Sequence, residues 1–182
     1  MIEVKVFFDA LREQGVVNFS GVPDSLLKNI CAYISDNTAP ENHLITANEG
    51  SAVALSVGQY LATGRPSLVY MQNSGFGNAI NPLLSLADPK VYGIPMIVMV
   101  GWRGEPGVKD EPQHIKQGEV MEDLLEACDL HTVIIDAETR SIGEVLKTAV
   151  EKSLTDSQPV VLLIRKNTFT PYKIRCPSPD LA

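Results

Sequence analysis

Short apolar runs rich in β-branched residues alternate with stretches of helical periodicity from one end of the chain to the other, and few folds accept that alternation. Strand, helix, strand in repeated succession builds a parallel sheet covered by helices on both faces. The expected fold is a three-layer α/β/α, doubly wound, mostly parallel sheet. Val4–Glu13 reads as an amphipathic helix closed by Gly15, and Val16–Phe19 as the first strand. Gly21 to Ser25 turns into a helix ending near Ile34, with Pro23 or Asp24 suited to its first turn. His43–Thr46 is β-like, and a helix with Ala52, Ala54, Leu55, Val57 and Leu61 on its apolar face follows. Ser67–Met71 predicts a strand, Asn73–Asn78 a glycine-rich turn, and Ala79–Leu86 a helix. Pro95–Val100, Thr132–Ile135 and Val160–Ile164 predict three more strands, with helices over Val120–Cys128 and Ile142–Ser153. Gly101–Gly118, rich in Gly, Pro and charge, is expected to be a long functional loop.

With 182 residues the chain supports one domain, expected over 1–170, before a proline-bearing tail or the start of a linker over 171–182. A net charge of −7 argues against a nucleic-acid or anionic-membrane surface, so any anionic ligand must be met by local groups. Cys31, Cys128 and Cys176 are odd in number and widely spaced. They suggest neither a disulfide framework nor a zinc site, and a reducing cytoplasm is their simplest setting. His43, His114 and His131 lie too far apart to read as a metal cluster, and His43 and His131 flank strands as structural residues.

Glu49 stands out: a carboxylate at the carboxyl end of a strand and in the first turn of an otherwise apolar helix. That sheet edge is where open α/β folds bind ligands. The position alone fits equally a residue that complements the helix dipole. Four loops that follow strands hold nearly all the unusual residues: 21–25, 48–51, 73–78 and 101–117. Asn73-Ser74-Gly75-Phe76-Gly77-Asn78 is a broken dinucleotide fingerprint, since Ile80 replaces the third glycine. It is not a hydrolase elbow either, with Gln72 and Phe76 where glycines belong. In the last loop Arg103 can fork onto an oxyanion, Lys109 and Lys116 are point charges, and His114 adds an imidazole that can donate or accept a hydrogen bond.

Together Gly21-Val22-Pro23-Asp24-Ser25, Asn48-Glu49-Gly50-Ser51-Ala52, Met71 through Asn78, and Gly101-Trp102-Arg103-Gly104-Glu105 through Gln113-His114 closely resemble the pyrimidine-binding domain of thiamine diphosphate enzymes of the phosphonopyruvate decarboxylase type. The α subunit of sulfopyruvate decarboxylase looks like a nearby relative. The resemblance covers Met1 to about Tyr172. It implies that Glu49 is catalytic, hydrogen-bonding N1′ of the cofactor's aminopyrimidine, while the cofactor supplies the electron sink. It implies that Asn73, Ser74, Gly75 and Asn78 border the cofactor. Asp24 and Ser25 match the substrate-side loop, Asp24 as a catalytic proton relay, and Arg103 and His114 are assigned to the substrate's anionic end.

The family also uses a second domain, marked by Gly-Asp-Gly, that holds the diphosphate through Mg2+. No Gly-Asp dipeptide occurs in the 182 residues. The expectation is half an active site, completed by a diphosphate-binding domain or a β-type subunit in a homo- or hetero-oligomer. The expected activity is decarboxylation of phosphonopyruvate to phosphonoacetaldehyde, with sulfopyruvate as the rival substrate. A non-catalytic ligand-binding or assembly module is the alternative of another class.

Overall fold

The computed structural model describes residues 1–175. In chain order the elements are α1 (Val4–Glu13), β1 (Asn18–Gly21), α2 (Lys28–Asn37), β2 (His43–Ile45), α3 (Glu49–Thr63), β3 (Ser67–Gln72), α4 (Phe76–Pro82), β4 (Met96–Gly101), α5 (Pro112–Glu119), α6 (Met121–Ala127), β5 (His131–Ile135), α7 (Ile142–Asp156) and β6 (Pro159–Ile164). The six strands form one sheet in the order β2-β1-β3-β4-β6-β5, and every pairing is parallel. The expected three-layer, doubly wound fold is what the chain adopts.

Strand residues alternate between the two covering layers with period two. Ile97 and Met99 of β4 face the layer built on Phe7, Leu11, Ile30 and Leu146. Met96, Val98 and Val100 face the layer built on Val53, Phe76, Leu83 and Met121. Every residue of β4 and β6 is buried, which is why both read as unbroken apolar runs.

Several boundaries and one helix face differ from expectation: α4 already begins at Phe76, inside the expected turn, and ends at Pro82, and the other departures have local reasons. Strand β1 starts at Asn18 because Val16 is still closing α1: its N–H donates to the Leu11 carbonyl while Gly15, at φ +82°, donates to Arg12. Helix α2 starts only at Lys28, so Pro23 and Asp24 lie in the bend ahead of it, where Asp24 Oδ2 accepts the Leu27 N–H at 3.2 Å. The loop after β4 is half helical, since Pro112 occupies the first position of α5 and its fixed φ favours that role. On α3 the buried positions are Glu49, Ala52, Val53, Ser56 and Val57, while Ala54 and Leu61, expected on that face, are exposed.

Residues 166–175 return along the opening turns of the chain. Ile2 donates to Thr168 and Thr170 donates to Ile2; Tyr172 stacks edge-on against Tyr33 and donates its hydroxyl to Asp36. Cys176, Pro177 and Pro179 lie outside the described residues. No helix among the described residues is long and apolar enough to cross a membrane.

Candidate active site

From β1 the chain proceeds to β2 at one edge of the sheet, and from β3 to β4 on the other side, so the order reverses between β1 and β3. Loops at the carboxyl ends of strands that diverge in this way leave a crevice, and ligands bind there in open α/β sheets. All the singled-out residues come from the loops bordering that crevice or from the helices they open.

Glu49 opens α3, whose N-cap Asn48 accepts the Ser51 N–H at 2.9 Å. Its side chain turns inward, only 9% exposed, and Oε2 accepts the Asn78 amide at 2.8 Å. The carboxylate rests on Gly75, where a Cβ would fall 2.0 Å from Oε1. It thus lies by the N-termini of α3 and α4, both of which favour negative charge. Oε1 makes no hydrogen bond among the described residues, so one acceptor stays available to a donor on a ligand. Pro82, lacking an N–H, leaves the Asn78 carbonyl free of its helical partner. That carbonyl faces Gly50, where a Cβ would fall 2.6 Å from it.

Asp24 is 5% exposed and sits under the end of β4, where a Cβ on Gly101 would fall 2.2 Å from its Oδ2. Oδ1 is buried without a partner. Burial raises its pKa, opposed by the N–H groups of Leu26 and Leu27 and by the charge of Arg103. Arg103 itself is committed: Nε donates to Asp110 Oδ2 at 2.8 Å, Nη2 to Asp110 Oδ1 at 2.5 Å, and Nη1 to Ser25 Oγ at 2.6 Å. Those bonds, with further donation from Gly104 and Glu111, hold the Asp110 carboxyl far below the usual carboxylate range.

Asn73 connects the loops. Its amide donates to the Arg103 carbonyl at 2.8 Å and accepts the Arg103 N–H at 3.1 Å. Gln72 donates to Ser74 Oγ at 2.6 Å, and its amide nitrogen lies 3.5 Å from His114 Nδ1. The sequence-derived residues therefore fall into two groups: Glu49 with Gly75 and Asn78, and Asp24 with Ser25 and Arg103. Asn73, Ser74 and His114 lie at the seam between them. Asp24, Ser25 and Arg103 line a cleft of about 1240 Å³, with Lys28, Tyr70 and Tyr172, but Glu49 does not. Phe169, Pro171 and Tyr172 of the C-terminal arm wall that cleft.

Sequence reading missed Asp110, Gln72 and Gly101. Only Asp110 had a local signal, a carboxylate two residues before the proline that starts α5. Among the described residues no group of three or more His, Cys, Asp or Glu could hold a metal ion. Burial pushes the Cys31 thiol up to about 12, which leaves no thiolate nucleophile there. His43, half-buried, shares a 2.8 Å hydrogen bond with the Tyr70 hydroxyl, a packing role.

Comparison with known proteins supplies the context for this geometry. The family described as "Thiamine pyrophosphate enzyme, N-terminal TPP binding domain" matches residues 3–127. Phosphonopyruvate decarboxylase of Streptomyces viridochromogenes is 40% identical over 121 residues, 66% of this chain and 30% of that protein. Phosphonopyruvate decarboxylase of Streptomyces hygroscopicus is 39% identical over 71% of this chain, which spans 31% of its length. The sulfopyruvate decarboxylase subunit alpha of Methanococcus maripaludis is 31% identical over 157 residues, 86% of this chain and 90% of that subunit. A thiamine diphosphate-dependent 4-hydroxybenzoylformate decarboxylase from Rhodococcus jostii RHA1 has the same fold, with a TM-score of 0.66 at 19% identity, covering 98% of this chain and 36% of that one.

Proposed function

Because the chain belongs to the thiamine pyrophosphate enzymes and carries their N-terminal TPP binding domain, we propose that it is the pyrimidine-binding half of a thiamine diphosphate-dependent 2-oxo acid decarboxylase. Its substrate is phosphonopyruvate, released as phosphonoacetaldehyde and carbon dioxide. The observation that carries this reading is Glu49, buried at a helix start, held by Asn78, and keeping Oε1 as a free acceptor. That arrangement fits an aminopyrimidine, whose ring nitrogen, once protonated, donates to a carboxylate. Bound thiamine diphosphate would supply the electron sink for decarboxylation.

The remaining steps belong to this chain. Glu49 orients the pyrimidine and shares a proton with N1′. Gly75 and Asn78 fix the carboxylate, and Asn73 and Ser74 border the cofactor. Decarboxylation of a 2-oxo acid to an aldehyde consumes one proton, and Asp24, its pKa raised by burial, can hold that proton at the cleft. Ser25, Arg103 and His114 receive the substrate's anionic end. The diphosphate and Mg2+ are held by a second domain or a β-type subunit, so the working enzyme is a homo- or hetero-oligomer in the cytoplasm.

Sulfopyruvate is the second reading. It is favoured by the match to the M. maripaludis subunit, which extends over 157 residues of alignment against 121 for the S. viridochromogenes enzyme. The test is carbon dioxide release from each 2-oxo acid by the natively purified protein, with thiamine diphosphate and magnesium supplied. Glu49→Gln is expected to abolish nearly all turnover without changing the unfolding transition. Near-normal turnover of that variant would sink the assignment.

A further inference from the structure

A free arginine in a solvent-filled cleft attracts anions through charge, but Arg103 is not free. Of the five N–H donors on its guanidinium, three are already engaged, two by Asp110 and one by Ser25. One N–H remains on each terminal nitrogen, both directed from a plane that the chain has fixed. That plane rests on Asp110, whose carboxylate accepts four hydrogen bonds: two from Arg103, one from Gly104 N at 2.8 Å and one from Glu111 N at 2.8 Å. The carboxylate is thus tied to the backbone where its loop leaves β4 and again where it enters α5. Gly104 reaches it only in the left-handed conformation at φ +70°, packed so closely that a Cβ there would fall 2.0 Å from the His114 carbonyl oxygen. At the other end Asn73 clamps the Arg103 backbone in both directions.

We propose that Asp110 is a positioning residue, which fixes the Arg103 guanidinium at the mouth of the cleft so that its two remaining N–H donors meet the oxygens of the substrate's distal anionic group. The inference rests on the functional reading above and sharpens it. Asp110 offsets the charge of Arg103, so the pair selects its ligand by the direction of its donors more than by net charge. A tetrahedral phosphonate or sulfonate offers two oxygens to such a fork, as a carboxylate does.

The experiment is a double-mutant cycle in the natively purified assembly, read on KM and kcat for the accepted 2-oxo acid and, in parallel, on affinity for methylphosphonate and methanesulfonate as minimal probes. Arg103→Ala is expected to raise KM by about tenfold to a hundredfold, the range for hydrogen bonds to a charged group, with a smaller change in kcat. Asp110→Asn keeps the side-chain shape and one acceptor oxygen, enough for one of the two backbone N–H groups, but places an NH2 donor against the guanidinium; it should raise KM by a similar factor. The double variant should be no worse than Arg103→Ala alone. Effects that multiply in the double variant would show that Asp110 only holds its loop, and would overturn the inference. So would unchanged KM in Arg103→Ala. Coupling that persists in probe binding while neither 2-oxo acid is turned over would refute the functional reading alone.

Discussion

Gly75→Ala isolates the position of one carboxylate from everything else in the fold. The backbone at Gly75, φ −81° and ψ −13°, accepts alanine without strain. The new methyl carbon, however, would lie 2.0 Å from Glu49 Oε1, 2.3 Å from Cδ and 2.6 Å from Cγ. Restoring ordinary contact moves the carboxylate by about 1 Å or more, and misplacement of that size can cost about a hundredfold in rate. The 2.8 Å bond from Asn78 is lost with it. Stability should change much less. Overpacking costs about 1–3 kcal/mol, and alanine returns about 0.4–1 kcal/mol by restricting the unfolded chain. A fall in Tm of under roughly 10 °C is expected for a chain of this size. Decarboxylation, thiamine diphosphate affinity and thermal unfolding would be measured side by side, with Gly77→Ala as the control because a Cβ there meets nothing within 4 Å. Normal turnover and cofactor affinity in Gly75→Ala would refute the argument that Glu49 works through its position.

Two further outcomes concern the scaffold. Asn48→Ala removes the side-chain cap of α3 and should cost about 0.5–2 kcal/mol, read as a lower Tm; an unchanged Tm would mean that the bond to Ser51 contributes nothing. Burial lowers the pKa of His43 from 6.5, so the folded state keeps it neutral where the unfolded chain already binds a proton. Its contribution is therefore complete above about 6.5 and is lost as pH falls from there toward the folded value. Urea midpoints at about pH 7.5 and about pH 5.5 should differ less in His43→Gln than in the parent. An identical difference would assign the dependence elsewhere, and His131, also lowered by burial, is the first candidate.

The layers were legible because β4 and β6 are buried on both faces and so carry no polar alternation to obscure them. Boundaries were less so where a side chain competes with the helix start, as Asp24 does before α2. Helix α5 was hidden by composition: Pro112 and Gly118 read as breakers, yet one opens the helix and the other packs against Gly104. Glu49 could be picked out from its place between strand and helix. Asn78, 29 residues away, could be placed beside the cofactor only by resemblance, and its bond to Glu49 could not be read at all, because no periodicity marks a contact made across two helix starts. The lock on Arg103 was invisible for a related reason: Arg103 and Asp110 read as two charges in one polar loop, and only the folded loop shows that each is the other's ligand.

The two glycines around Glu49 have a consequence for when order is acquired. Gly75 lies against the side chain and Gly50 follows it on the same helix, pressed onto the Asn78 carbonyl. A free glutamate side chain samples many rotamers, and restricting it costs up to about 2 kcal/mol in entropy. Here the close walls and the Asn78 amide select one rotamer as the chain folds, so a ligand that reaches Oε1 meets an acceptor already at rest and loses none of its affinity to arranging it.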